Sequence, residues 1–126
     1  MENFDLNYSF DVHNAPITCL DFLFTNDVYL LGTGSQDSFI HIFDFEIFQK
    51  EKDIGEDICT LTDHDSESTI TNIVFAVDRN NLKKLVTSGT DFKIHFYLVN
   101  NDKTIQLINT FVSLFYYINL YYINLY

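Results

Sequence analysis

Tryptophan is absent from these 126 residues, proline occurs once, cysteine twice and glycine four times. Basic side chains are also scarce: 7 Lys and Arg stand against 18 Asp and Glu, for a net charge of −11. Without tryptophan, no buried network can use an indole N–H donor. The two cysteines, Cys19 and Cys59, form no Cys-x-x-Cys and have no histidine at zinc spacing, so they read as buried, reduced thiols. The shortage of basic residues leaves no patch for a phosphate backbone, which argues against direct nucleic-acid binding. The N-terminus lacks a basic region and an apolar core, so no secretory signal is expected and the reducing cytoplasm is the expected compartment. No segment combines sustained 3.6-residue periodicity with helix caps.

What is present points to a folded chain. Hydrophobic residues make up 47% and aromatics 17%, too much apolar surface for a disordered polymer. Asn, Ile, Lys, Tyr and Phe are favoured, the signature of AT-rich coding sequence. The acidic residues are densest between Asp44 and Glu67. That stretch reads as a solvated loop, and the acidic balance suits a soluble protein or one that meets a basic partner surface.

The informative feature is an internal repeat. Ile17-Thr18-Cys19-Leu20-Asp21-Phe22 recurs as Ile70-Thr71-Asn72-Ile73-Val74-Phe75, with apolar residues at the first, fourth and sixth positions. A histidine precedes each copy, His13 and His64. Behind them, Gly34-Ser35-Gln36-Asp37-Ser38-Phe39-Ile40-His41-Ile42-Phe43 aligns with Ser88-Gly89-Thr90-Asp91-Phe92-Lys93-Ile94-His95-Phe96-Tyr97. Strands are predicted over residues 17–22, 29–33, 39–45 and 58–61, then over 70–77, 84–88, 93–99 and 105–111, with turns at their Asn-, Asp-, Ser- and Gly-rich junctions. A further short strand is predicted over 6–10, and 46–56 reads as an inserted loop with room for a short helical turn.

These residues resemble the WD-repeat family. The shared pattern is a histidine, an aliphatic-x-x-aliphatic-x-Phe strand, a small-residue strand, a turn Asp, and an aliphatic-aromatic strand ending where Trp-Asp would stand. The resemblance implies an all-β fold, an antiparallel β-propeller fragment of about two four-stranded blades. Residues 1–12 would then hold the end strand of a preceding blade, 13–63 the first repeat, 64–111 the second, and 112–126 an aromatic tail. The resemblance further implies a structural hydrogen-bond network in each blade: His13, Thr33, Asp37 and Phe43, then His64, Thr87, Asp91 and Tyr97. In it the Asp accepts from backbone N–H groups and from the histidine, and the histidine donates to the threonine. A fully satisfied network of this kind rigidifies a blade. The sequence departs from the pattern where Phe43 and Tyr97 replace Trp, and where Val12 and Asp63 replace the Gly before each histidine. Phe43 cannot donate at all, and Tyr97 can do so only with its hydroxyl in a different place. The networks are therefore expected to be trios. The run from Leu31 to Asp44, and the one from Ser68 to Phe96, also resemble scaffolds that bind mitogen-activated protein kinases.

Read as chemistry, the same residues carry less. His, Thr and Asp suggest a catalytic triad, but the set recurs in both units and each threonine lies inside a strand, which points to architecture. His41 and His95 are expected to face outward or to line a blade surface rather than bind metal. Gly32-x-Gly34 is too short for a dinucleotide loop and has no helix behind it. Residues 63–67 lack the mid-loop Gly and distal Glu of a calcium loop. No catalytic, cofactor or metal residue is expected, and the chain is not expected to be an enzyme.

The tail from Thr104 onward has no charge and contains Tyr-Tyr-Ile-Asn-Leu-Tyr twice. Three readings fit it: a transmembrane helix, a last strand with a β-prone end, or translated intron or frame-shifted sequence. Two blades cannot close a ring of about 4–8. Leaving a few hundred Å² of blade face wet forgoes on the order of 10 kcal/mol. The expected partners are therefore other proteins, namely missing propeller blades or further copies of the chain, with no nucleic acid and no membrane. The expected function is a scaffold that holds proteins, linked to kinase signalling or the cytoskeleton. The alternative is a small β protein tethered to a membrane by its C-terminal tail.

Overall fold

The computed structural model describes residues 11–45 and 57–112. They form eight strands: β1 (Ile17–Phe24), β2 (Tyr29–Ser35), β3 (Ile40–Asp44), β4 (Cys59–Leu61), β5 (Ile70–Val77), β6 (Lys83–Gly89), β7 (Lys93–Val99) and β8 (Ile105–Val112). The strands pair antiparallel as two sheets, β1-β2-β3-β4 and β5-β6-β7-β8, each a meander in chain order. The described residues are thus all-β and folded as two four-stranded blades, as the repeat predicts. β1, β2, β6 and β8 run a residue or two beyond the predicted bounds, β5 and β7 match them, and β3 and β4 fall short; β1 reaches Phe24 because Phe24 still pairs with Tyr29. The predicted strand over 6–10, the loop over 46–56 and the tail beyond Val112 lie outside the described residues.

The two blades share one register down to its irregularity. Ile17 pairs with Ser35 and Cys19 with Gly34; Ile70 pairs with Gly89 and Asn72 with Ser88, so each first strand bulges at the same place. Local chemistry makes the turns. The Thr25 N–H donates to the Val28 carbonyl at 2.9 Å, closing β1 onto β2. The Asp78 carboxylate takes the N–H groups of Asn80 and Leu82, closing β5 onto β6. Between the second and third strands of each blade the turn Asp is followed by a residue at positive φ, Ser38 at 73° and Phe92 at 62°. That region strains a residue with a Cβ, and a bulky one most.

The core lies between the blades. Leu23, Val28, Leu30, Ile40, Ile42 and Leu61 of blade one meet Ile70, Ile73, Phe75, Leu85, Tyr97 and Val99 of blade two. β5 packs across β1 and β2. Two glycines make this close approach feasible. A Cβ on Gly32 would lie 3.2 Å from the Phe75 ring, and one on Gly34 would lie 2.6 Å from the Ile70 Cγ2. Gly32-x-Gly34 is therefore a packing seat between blades. On the other side of blade one, Leu31 and Phe43 form a second, smaller cluster with Val12 and Phe45.

Candidate functional site

Each blade brings a histidine, a threonine and an aspartate together at one end. In blade one, His13 Nδ1 is 3.0 Å from Asp37 Oδ2, and its Nε2 is 2.8 Å from Thr33 Oγ1. In blade two, His64 Nδ1 is 2.9 Å from Asp91 Oδ2, and its Nε2 is 2.9 Å from Thr87 Oγ1. Each carboxylate also takes two backbone N–H groups: Asn14 and Phe39 donate to Asp37, and Asp65 and Lys93 donate to Asp91. The threonine sits mid-strand on β2 or β6 and the aspartate in the following turn. The histidine crosses over from the approach to the first strand, tying three segments together.

The electrostatics follow from these bonds. Burial alone would raise the pKa of Asp37, but the N–H groups of Phe39 and Asn14 and the His13 ring outweigh it and hold the carboxyl below its ordinary value. Burial likewise works against Asp91, and the Asp65 N–H, the His64 ring and the Lys93 N–H hold it low. The carboxylate only accepts, so each Nδ1 donates to it, and each Nε2 meets the threonine hydroxyl, where either atom can be the donor. Each threonine is buried inside a paired strand and the set recurs in both blades, which marks it as architecture rather than a nucleophile.

The fourth position differs between blades. Phe43, expected in the network, is buried against Leu31, with Val12 and Phe45 packed beside them. Tyr97 is also buried, and its hydroxyl donates to Asp63 Oδ2 at 2.9 Å. Burial and the Asp63 carboxylate push the Tyr97 phenol far above its ordinary pKa, with Thr87 opposing. The two departures in each repeat are therefore one site. An apolar residue before the histidine goes with Phe at the strand position, and a carboxylate goes with Tyr. Sequence reasoning missed Asp63 as a network member; its signal was the coincidence of a polar residue at both departing positions of the same repeat.

His41 and His95 do not simply face outward. Each stacks edge-on against the network histidine, with ring centroids 4.5 Å apart for His13–His41 and 4.4 Å for His64–His95. His41 Nδ1 bonds Asp57 Oδ2 at 2.7 Å. His95 is only 3% exposed, bonds Thr110 through Nδ1 at 2.8 Å, and leaves Nε2 without a partner. Burial, then the nearby His64, lowers its pKa and so favours the neutral ring. Of the two expectations, facing outward or lining a blade surface, the second describes them: these residues lie on the same sheet face as the network, and in blade two that face meets blade one.

Donor atoms of His13, Asp37 and His41, and of His64, Asp91 and His95, lie within 4.8 Å of one another. These are the residues that could hold a metal ion. In both sets, however, the first histidine and the carboxylate already hold each other, and the carboxylate holds two N–H groups, so an ion would have to displace those bonds. The cysteines offer no nucleophile either. Burial raises the pKa of Cys19, and burial with Asp57 and Asp63 raises that of Cys59, so both stay thiols at neutral pH.

Two meandering four-stranded blades, each bracketed by a His–Thr–Asp network, define a β-propeller fragment. Residues 4–44 match the family described as WD domain, G-beta repeat, a match that runs through the end of β3 and supports the WD-repeat family for this chain. No curated relative matches the chain.

Proposed function

We propose that the chain is part of a WD-repeat scaffold that holds other proteins and carries no catalysis of its own. The single observation that carries this reading is the repetition of one bracket in both blades, with every chemically able group in it engaged in bonds that tie strands together. A catalytic arrangement would leave a nucleophile or base facing a cleft. The acidic surface suits partners with basic faces, and the cytoplasm is the compartment proposed. A place in kinase signalling rests on the likeness of residues 31–44 and 68–96 to kinase-binding scaffolds, and a cytoskeletal role is the other placement carried forward.

The test is affinity capture by the full chain from extract of its own cells, with Phe22→Asp as the control on the open face of blade one. Proteins retained by the wild type and released by the variant carry the reading. A turnover that copurifies with the chain and vanishes in His64→Ala would sink it. The membrane-tether alternative loses part of its segment, since Ile105–Val112 is a strand paired with β7. Among the described residues no helix is long and apolar enough to cross a membrane.

A further inference from the structure

The second histidine of blade two carries an atom that the bracket leaves unused. Among the described residues, His95 Nε2 is the one buried side-chain nitrogen or oxygen with no hydrogen-bond partner, on a residue 3% exposed. Buried polar atoms are normally partnered, so a bare one calls for a ligand. Its surroundings fit a cation. Donor atoms of His64, Asp91 and His95 lie within 4.8 Å of one another. A threonine anchors one nitrogen of each ring: His64 Nε2 is 2.9 Å from Thr87 Oγ1, and His95 Nδ1 is 2.8 Å from Thr110 Oγ1. Metal-binding histidines are held in this way, one nitrogen on an outer partner and the other left for the ion. Gly89 keeps side-chain atoms away from the other two ligands. A Cβ there would lie 2.9 Å from His64 Nδ1 and 3.0 Å from Asp91 Oδ1. Blade one has the same residue types, His13, Asp37 and His41, in a different setting. Ser35 stands where Gly89 does, and its hydroxyl donates to the Ala15 carbonyl and accepts the Asp37 N–H. The His41 side chain is 12% exposed, within reach of water, and its Nδ1 is bonded to Asp57.

We propose that His64 Nδ1, one Asp91 oxygen and His95 Nε2 form a site in blade two for a divalent transition ion of the zinc type. Two imidazoles and a carboxylate suit such an ion, whereas magnesium and calcium take oxygen ligands. Of the bonds that hold the bracket, the ion displaces one, between His64 and Asp91. The ring proton of His64 then stands on Nε2 and is donated to Thr87. The Asp65 and Lys93 N–H groups stay on Asp91, one on each oxygen, because a carboxylate has about four lone-pair sites. Ligands held at about 2.0–2.2 Å from a zinc ion stand about 3–3.5 Å apart. His64 Nδ1 and Asp91 Oδ2, now 2.9 Å apart, therefore part by roughly a few tenths of an ångström on binding. His95 closes by at most about 1.5 Å. The bound ion ties the approach to β5, the turn after β6 and β7 at one point, and through Thr110 it reaches β8. The site lies beyond the scaffold reading, which holds with or without an ion.

The test is zinc binding by the full chain after stripping with a chelator. Titration calorimetry with Zn2+ should find one site per chain, and Zn2+ should raise the melting temperature. His95→Asn keeps a polar group at the place of Nδ1 for Thr110 and removes Nε2. It should weaken zinc binding by about a hundredfold or more, beyond what the loss of an outer partner costs, and abolish the thermal shift. His41→Asn in blade one should leave both readings unchanged. Three results overturn the proposal. The first is a folded wild type that binds no zinc. The second is binding that survives His95→Asn, which marks an adventitious surface ion. The third is binding lost in His41→Asn, which assigns the ion to blade one. If His95→Asn does not fold, the ring-nitrogen resonances of the wild type decide by NMR. Zinc must move those of His64 and His95; a shift confined to His13 and His41, or absent from both pairs, overturns the assignment.

Discussion

The two blades use the same trio and different fourth partners. Blade one pairs Val12 with a buried Phe43; blade two pairs Asp63 with a buried Tyr97. Both solutions satisfy the same rule, that a buried polar group must have a partner and an apolar one needs none. The lesson is that the residue before the histidine and the aromatic of the third strand act as a unit, so a change at one is tolerable only with a change at the other. The trio itself is the constant part, because the carboxylate at its centre makes bonds that nothing else nearby can replace.

The largest expected effect comes from removing that carboxylate. Asp91→Ala strands the His64 ring and two N–H groups inside the covered face and should destabilise the chain by about 3 kcal/mol in urea unfolding. Asp37→Ala should cost nearly as much, because the His13 and Asp37 side chains are also almost wholly buried, at 2% and 7% exposed; a loss less than half as large would set the two brackets apart. Next, Asp63→Val should cost about 2 kcal/mol by leaving the Tyr97 hydroxyl buried without its acceptor. Tyr97→Phe added to it should recover most of that loss, recreating the blade-one pairing, and a double-mutant cycle that came out additive would break the rule. Smaller and of opposite sign, Phe92→Gly should stabilise by about 1 kcal/mol in thermal unfolding, since it relieves a bulky residue at positive φ. Ser38→Gly should gain less.

The smallest effect is acid sensitivity. Asp37 and Asp91 both have folded pKa values below the ordinary one of 3.8. Their stabilisation is therefore fully present above that value and is lost as pH falls through the lower folded values. An acid titration of the wild type should show this loss, and Asp91→Asn should flatten the part that belongs to blade two.

Much of this was legible in the sequence. The order His, aliphatic strand, small-residue strand, Asp, aromatic strand gave the eight strands, and placed His13, Thr33 and Asp37, or His64, Thr87 and Asp91, in one bracket. What was not legible depends on contacts between segments far apart in the chain. Val12 and Phe43, like Asp63 and Tyr97, read as separate departures until the fold sets them side by side. Whether His95 faces outward or lines a blade surface stays open in the sequence, because a strand's alternation separates its two faces but does not reveal which face a neighbouring sheet will cover. Gly32 and Gly34 read only as members of a small-residue strand for the same reason: they make room for Phe75 and Ile70 on the other blade.

Gly34 carries a consequence for heredity. Every missense change of a glycine codon adds a Cβ, and at this position that carbon would fall 2.6 Å from the Ile70 methyl and 2.9 Å from the Cys19 sulfur. No single-nucleotide missense variant here is conservative, whatever the new side chain. The corresponding codon in the second repeat, Ser88, already specifies a Cβ. Natural variation sampled across the gene should therefore be uneven, with missense alleles depleted at codon 34 and accumulating at codon 88.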